Sequence, residues 1–115
     1  MPIPPEIQVL INRLNQELVE TEQEATEGLS IVRQVLSLFP ENAIMMQFFA
    51  ALSNTLLFVE ISKRRIQITI NRISPVNVNA EEIQEAGEDL GTELGRVLEA
   101  KLGVRRIINR LQELP

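Results

Sequence analysis

Residues 41–73 read ENAIMMQFFAALSNTLLFVEISKRRIQITINRI, a stretch with no internal proline. Within it Met45, Phe49, Leu52, Leu56, Val59, Lys63, Ile66, Ile70 and Ile73 follow one another at alternating spacings of four and three, the pattern of a helix that lays one seam on a core. Lys63 is the one polar intrusion. At 100° per residue a second apolar row, Met46, Ala50, Leu57, Ile61 and Ile68, falls on the opposite side of the same helix. One helix of a small bundle needs a single stripe, so the second row predicts a contact outside the fold.

Part of this stretch also permits another fold. Ile66-Gln67-Ile68-Thr69-Ile70 alternates with period two and is rich in β-branched residues, and Leu57 to Ile61 offers a partner strand. A β-hairpin near residues 56–73 would make the chain α+β. The turn at Lys63-Arg64, however, has neither glycine nor asparagine, and Ile66, Ile70 and Ile73 extend the upstream helical seam without a break.

On either side, Pro4-Pro5, Pro40, Pro75 and Pro115 mark off three long proline-free stretches. In the first, Ile7, Ile11, Leu14, Leu18, Thr21, Ala25, Gly28, Val32, Val35 and Phe39 form a heptad seam. Its middle is weak, with only Thr21, Ala25 and Gly28 between Val19 and Leu29, and predicts close packing, a bend or a break. The third stretch opens on Asn79 with Glu82 three positions on, a capping signature, and runs through Ile83, Leu90, Leu94, Val97, Val104, Ile108 and Leu111. Acidic residues crowd its start and arginines its end, as the helix dipole favours. The expected architecture is all-α: an elongated antiparallel bundle of three long helices, near residues 5–38, 41–73 and 79–113, in a single domain spanning 1–115.

Composition narrows the chemistry. The 115 residues include no cysteine, histidine, tryptophan or tyrosine. Thiol nucleophiles, imidazole bases and thiolate or imidazole metal sites are thereby excluded. Ser62 and Lys63 are adjacent, but consecutive helical residues diverge by 100° and do not form a catalytic dyad. No phosphate-binding glycine loop is present, and nothing calls for a cofactor. A net charge of -5 opposes general nucleic-acid binding, and Arg96, Lys101, Arg105, Arg106 and Arg110 have no interleaved aromatics for base stacking. They suit a solvated helix end or ion pairs with the acidic middle of the first helix. The start of the chain lacks the basic and apolar regions of a secretory signal, so cytoplasmic residence is the expectation.

Four features bear on function. The run from Asn42 to Val59 has no charge and is followed by Lys63-Arg64-Arg65, as a membrane span would be. Gln47, Ser53, Asn54 and Thr55 interrupt it, and the seam continues to Ile73. Phe39, Phe48, Phe49 and Phe58 lie in or beside this run and predict the densest packing near the first interhelical turn. Gly87, Gly91 and Gly95 recur every four residues and predict close helix packing, either in a groove for the first helix around Ala25 and Gly28 or at a dimer contact. Glu17, Glu20, Glu24 and Glu27 make one acidic rail, and Glu81, Glu85 and Glu88 another. An oxygen-only metal site is one use for them, but pairing with basic residues is the better account. In an antiparallel hairpin Lys63, Arg64, Arg65 and Arg72 would lie level with Leu90, Asp89, Glu88 and Glu81.

Together these features predict a non-enzymatic oligomerisation or protein-protein interaction module, acting as a homodimeric scaffold through Met46, Ala50, Leu57, Ile61 and Ile68. The partner expected is a second copy of the chain, with an unknown protein as a further possibility. The competing classes are a small membrane-associated protein using residues 42–61 and a helical module that binds a ligand or nucleic acid.

Overall fold

Proline at the first helical turn forfeits no hydrogen bond, and α1 (Pro5–Leu38) begins on Pro5 and ends just before Phe39-Pro40. The α2 helix (Ala43–Ile73) is capped by Asn42, whose side chain accepts from the Met45 backbone N–H at 3.1 Å. The α3 helix (Ala80–Gln112) is capped by Asn79, which accepts from the Glu82 N–H at 2.8 Å. Each cap satisfies an N–H that the first turn leaves without a partner. The computed structural model describes residues 3–114.

Each helix packs against the other two. The result is a rod of 59 × 19 × 16 Å with a radius of gyration of 17.7 Å, against about 13 Å for a globular domain of this length. There is no strand among the described residues. The hairpin alternative fails because Ile66, Thr69 and Ile73 are all buried on one helical face, which a period-two strand cannot achieve.

Burial follows the heptads in α1, where Ile7, Ile11, Leu14, Leu18, Thr21, Ala25, Gly28, Leu29 and Val32 line the core. The weak middle produces close packing and no break: a Cβ on Gly28 would come within 3.0 Å of both Ile108 Cδ1 and Leu52 Cδ1. Two apolar clusters result. One gathers Leu14, Leu18, Val59, Leu90 and Val97, and the other Ala25, Val32, Leu52, Val104 and Leu111. Between them the rod has a polar waist, with Thr21 fully buried and Lys101 8% exposed.

Two expectations are corrected. Lys63 is not in the seam of α2; the seam steps three residues from Val59 to Ser62, which is buried, and Lys63 turns outward to Glu22 of α1 at 3.0 Å. The phenylalanines do not make the densest packing. Phe39 is exposed, Phe48, Phe49 and Phe58 are half-buried, and the large fully buried side chains are aliphatic. Guanidinium groups cover three of the rings instead, Arg33 over Phe49, Arg65 over Phe58 and Arg110 over Phe48, at 5.6 to 5.9 Å.

Candidate interaction surface

The seam that faces Met45, Leu52, Val59 and Ile66 inward directs the opposite side of α2 outward. Met46, Leu57, Ile61 and Ile68 are 54%, 60%, 40% and 55% exposed, and Ala50 is exposed among them. All five lie on one outer face. From Asn42 to Val59 that face carries no charge. Near the first turn Ile44, Leu38 and Phe39 are exposed as well.

Of the two placements expected for the glycines of α3, the groove for α1 is not found. A Cβ on Gly87 would meet Ile7 of α1 at 3.5 Å, an ordinary contact, whereas one on Gly91 or Gly95 would meet nothing within 4 Å. They form no internal groove for α1; the close approach to a glycine is at Gly28. The core stripe of α3 runs through Ala86, Leu90, Glu93, Val97, Lys101 and Val104. At about 100° per residue this places Gly91 about 100° and Gly95 about 140° away from Leu90. Gly91→Ala and Gly95→Ala should each stabilise the bundle by about 0.5–1 kcal/mol in urea unfolding, because alanine costs less backbone entropy and meets no neighbour. Unchanged self-association in the double variant would remove these glycines from any dimer contact.

Two ionic clusters stabilise the waist and the α2–α3 groove; the waist cluster is the expected pairing of Lys101 and Arg105 with the acidic middle of α1, and the groove cluster is one that the seams concealed. Glu93 is 4% exposed, and four donors converge on its two oxygens. Arg65 clasps it as a fork, Nε to Oε1 at 3.0 Å and Nη2 to Oε2 at 3.1 Å. Arg96 Nη1 reaches Oε1 at 3.1 Å and Ser62 Oγ donates to Oε2 at 2.7 Å. Beside this cluster a groove of about 240 Å³ opens between Ile68, Thr92 and the two arginines.

In the second cluster Lys101 donates to Glu17 at 2.7 Å and Glu20 at 2.6 Å, and Arg105 forks onto Glu24 at 3.1 and 3.3 Å. The hydrogen bonds that Lys101 donates to Glu17 and Glu20 hold its ammonium above its ordinary pKa despite burial. The Lys101 hydrogen bond in turn holds the Glu20 carboxyl below the usual carboxylate range. The first acidic rail is thus largely engaged by α3. Among the described residues no group of three or more acidic side chains is disposed to hold a metal ion.

The expected ladder between α2 and α3 is also corrected. Arg72 reaches Asp89 at 2.9 Å rather than Glu81, and Arg65 reaches Glu93 rather than Glu88. At about 100° per residue Glu81 and Glu88 lie about 160–180° from the core residue Leu90, on the far side of α3, whereas Asp89 and Glu93 lie within about 100° of it on one flank, so the arginines take those two. A signal for Glu93 existed, since it sits three residues past Leu90 and four before Val97, on the core stripe itself. No protein-family model, curated protein or solved structure matches the chain.

Proposed function

We propose that this protein is a non-enzymatic self-association module, a homodimeric helical scaffold joined through the outer face of α2. The observation that carries this reading is the exposed row of Met46, Ala50, Leu57, Ile61 and Ile68, uncharged over its N-terminal half. Water disfavours so long an apolar row, and a symmetric contact buries it on both copies at once. Leu57→Glu should convert a dimer to a monomer in light scattering with the helical circular dichroism unchanged, because a carboxylate would be desolvated at the contact but solvated in the monomer. A monodisperse monomer of the unaltered chain would overturn the proposal.

One observation favours a second reading, attachment to a bilayer. Ala43–Ile73 is long and apolar enough to cross a membrane, and only 17% of its most apolar 18-residue stretch is buried in the bundle. Sedimentation with phospholipid vesicles, in place of a dimer in detergent-free buffer, would support it.

A further inference from the structure

The outer face of α2 has an internal order that the apolar row alone does not express. Ala43, Gln47, Ala50, Asn54, Leu57, Ile61, Arg64 and Ile68 follow one another at alternating spacings of four and three, and all eight are exposed. This is a second complete heptad seam, opposite the one on the core. Its two halves differ. The first holds two alanines, Gln47 and Asn54; the second holds Leu57, two isoleucines and Arg64.

We infer that two copies of the chain pair antiparallel through this seam, about a two-fold axis that passes midway between Asn54 and Leu57. The inference rests on the self-association reading and assigns its face, direction and register. Under that axis Ala43 faces the second copy's Ile68, Ala50 its Ile61, Asn54 its Leu57 and Gln47 its Arg64. Each large aliphatic side chain of one copy therefore enters the space left by a small side chain of the other, the interdigitation that fills a helical interface.

Charge selects the same arrangement. A parallel in-register pair would stack Arg64 on Arg64, isoleucine on isoleucine and alanine on alanine, combining repulsion with gaps. The antiparallel pair sets each Arg64 against a Gln47 carbonyl, and holds the two Arg64 side chains about 25 Å apart along the axis. It also brings the two Asn54 amides into adjacent layers, about 4.5 Å apart along the axis. There each can donate to and accept from the other, and such an asparagine pair penalises any shifted register.

The absence of cysteine makes the test clean. Full-length Ala50→Cys and Ile61→Cys chains, alone and mixed, are treated with a short bismaleimide. A covalent dimer in the mixed sample only is the expected result, because in the antiparallel pair like positions lie about 16 Å apart along the axis. Ala43→Cys with Ile68→Cys repeats the test at the ends of the seam, where like positions are about 37 Å apart. Cross-linking of either variant by itself would overturn the antiparallel direction. A dimer by light scattering with no cross-link in either mixture would overturn the α2 pairing and leave self-association standing. A monomer would overturn both.

Discussion

Replacing Glu93 with alanine is expected to destabilise the bundle by about 2–3 kcal/mol, measured as a lower urea midpoint at unchanged slope. Breaking a fully buried ion pair costs about 3–5 kcal/mol. Here the two guanidinium groups are 43% and 52% exposed and can turn to water, which lowers the figure. Ser62 cannot do the same: it is fully buried and loses its only side-chain partner across the helix pair. Glu93→Gln keeps an acceptor for Ser62 and should cost about 1 kcal/mol. In the double variant Ser62→Ala/Glu93→Leu the stranded hydroxyl is gone, so much of the loss should return. Additive losses in that cycle would mean that the Ser62 hydrogen bond contributes nothing.

Lys101→Ala is expected to cost about 2–3 kcal/mol, since it strands Glu17, whose nearest remaining cation is Arg13 at 4.0 Å. Lys101→Met retains the apolar stem and separates lost packing from lost charge. Lys101 and its other partner, Glu20, also shape the pH profile. Lys101 has a raised pKa in the folded state, so its contribution is complete below the unfolded lysine value, about 10.4. It disappears as pH rises through the folded value. Glu20 has a lowered pKa, so its contribution is complete above the unfolded carboxylate range and disappears as pH falls through the folded value. With no histidine or cysteine in the chain, side-chain titration leaves stability flat between about pH 5 and 10 and lowers it at both ends. Urea midpoints across that range test this, and Lys101→Met should remove the Lys101 share of the alkaline loss, leaving that of Lys63, whose pKa the hydrogen bond to Glu22 also raises.

The fold was legible because two signals agreed: prolines fell at the ends of three stretches, and each stretch held one four-three seam. Those signals bound the helices to within two residues. They could not decide whether Ser62 or Lys63 continued the seam from Val59, because steps of three and four both satisfy a helix; the buried carboxylate across the interface makes that choice. The pairing of Lys101 with the acidic middle of α1 was legible from charge alone, but its burial was not, because a lysine is buried only when partners meet it, and Glu17 and Glu20 lie more than eighty residues away. The glycine spacing was visible but its direction was not, since a row of small residues states nothing about which face it occupies until the core stripe of α3 is drawn through Glu93 and Lys101. The outer face of α2 was legible as an apolar row. Its size order, small residues before large, stands out only once the burial of the opposite seam establishes that all eight positions face outward.

The divided core means that the resistance of this rod to opening is not a single number. The cluster around Leu14 and Leu90 and the cluster around Val32 and Leu52 are joined across a waist of hydroxyl and ionic contacts, of which the exposed pairs Arg105–Glu24 and Lys63–Glu22 are weakened by salt while the buried Lys101–Glu17 pair and the aliphatic burial are weakened much less. Raising the ionic strength should therefore loosen the coupling between the halves before it loosens either half. The end holding Phe39 and Pro40, with its half-covered rings, would then open by itself while the far end stays closed. Amide protons on the two sides of Thr21 would exchange by different routes, one through local opening and the other only when the whole bundle comes apart.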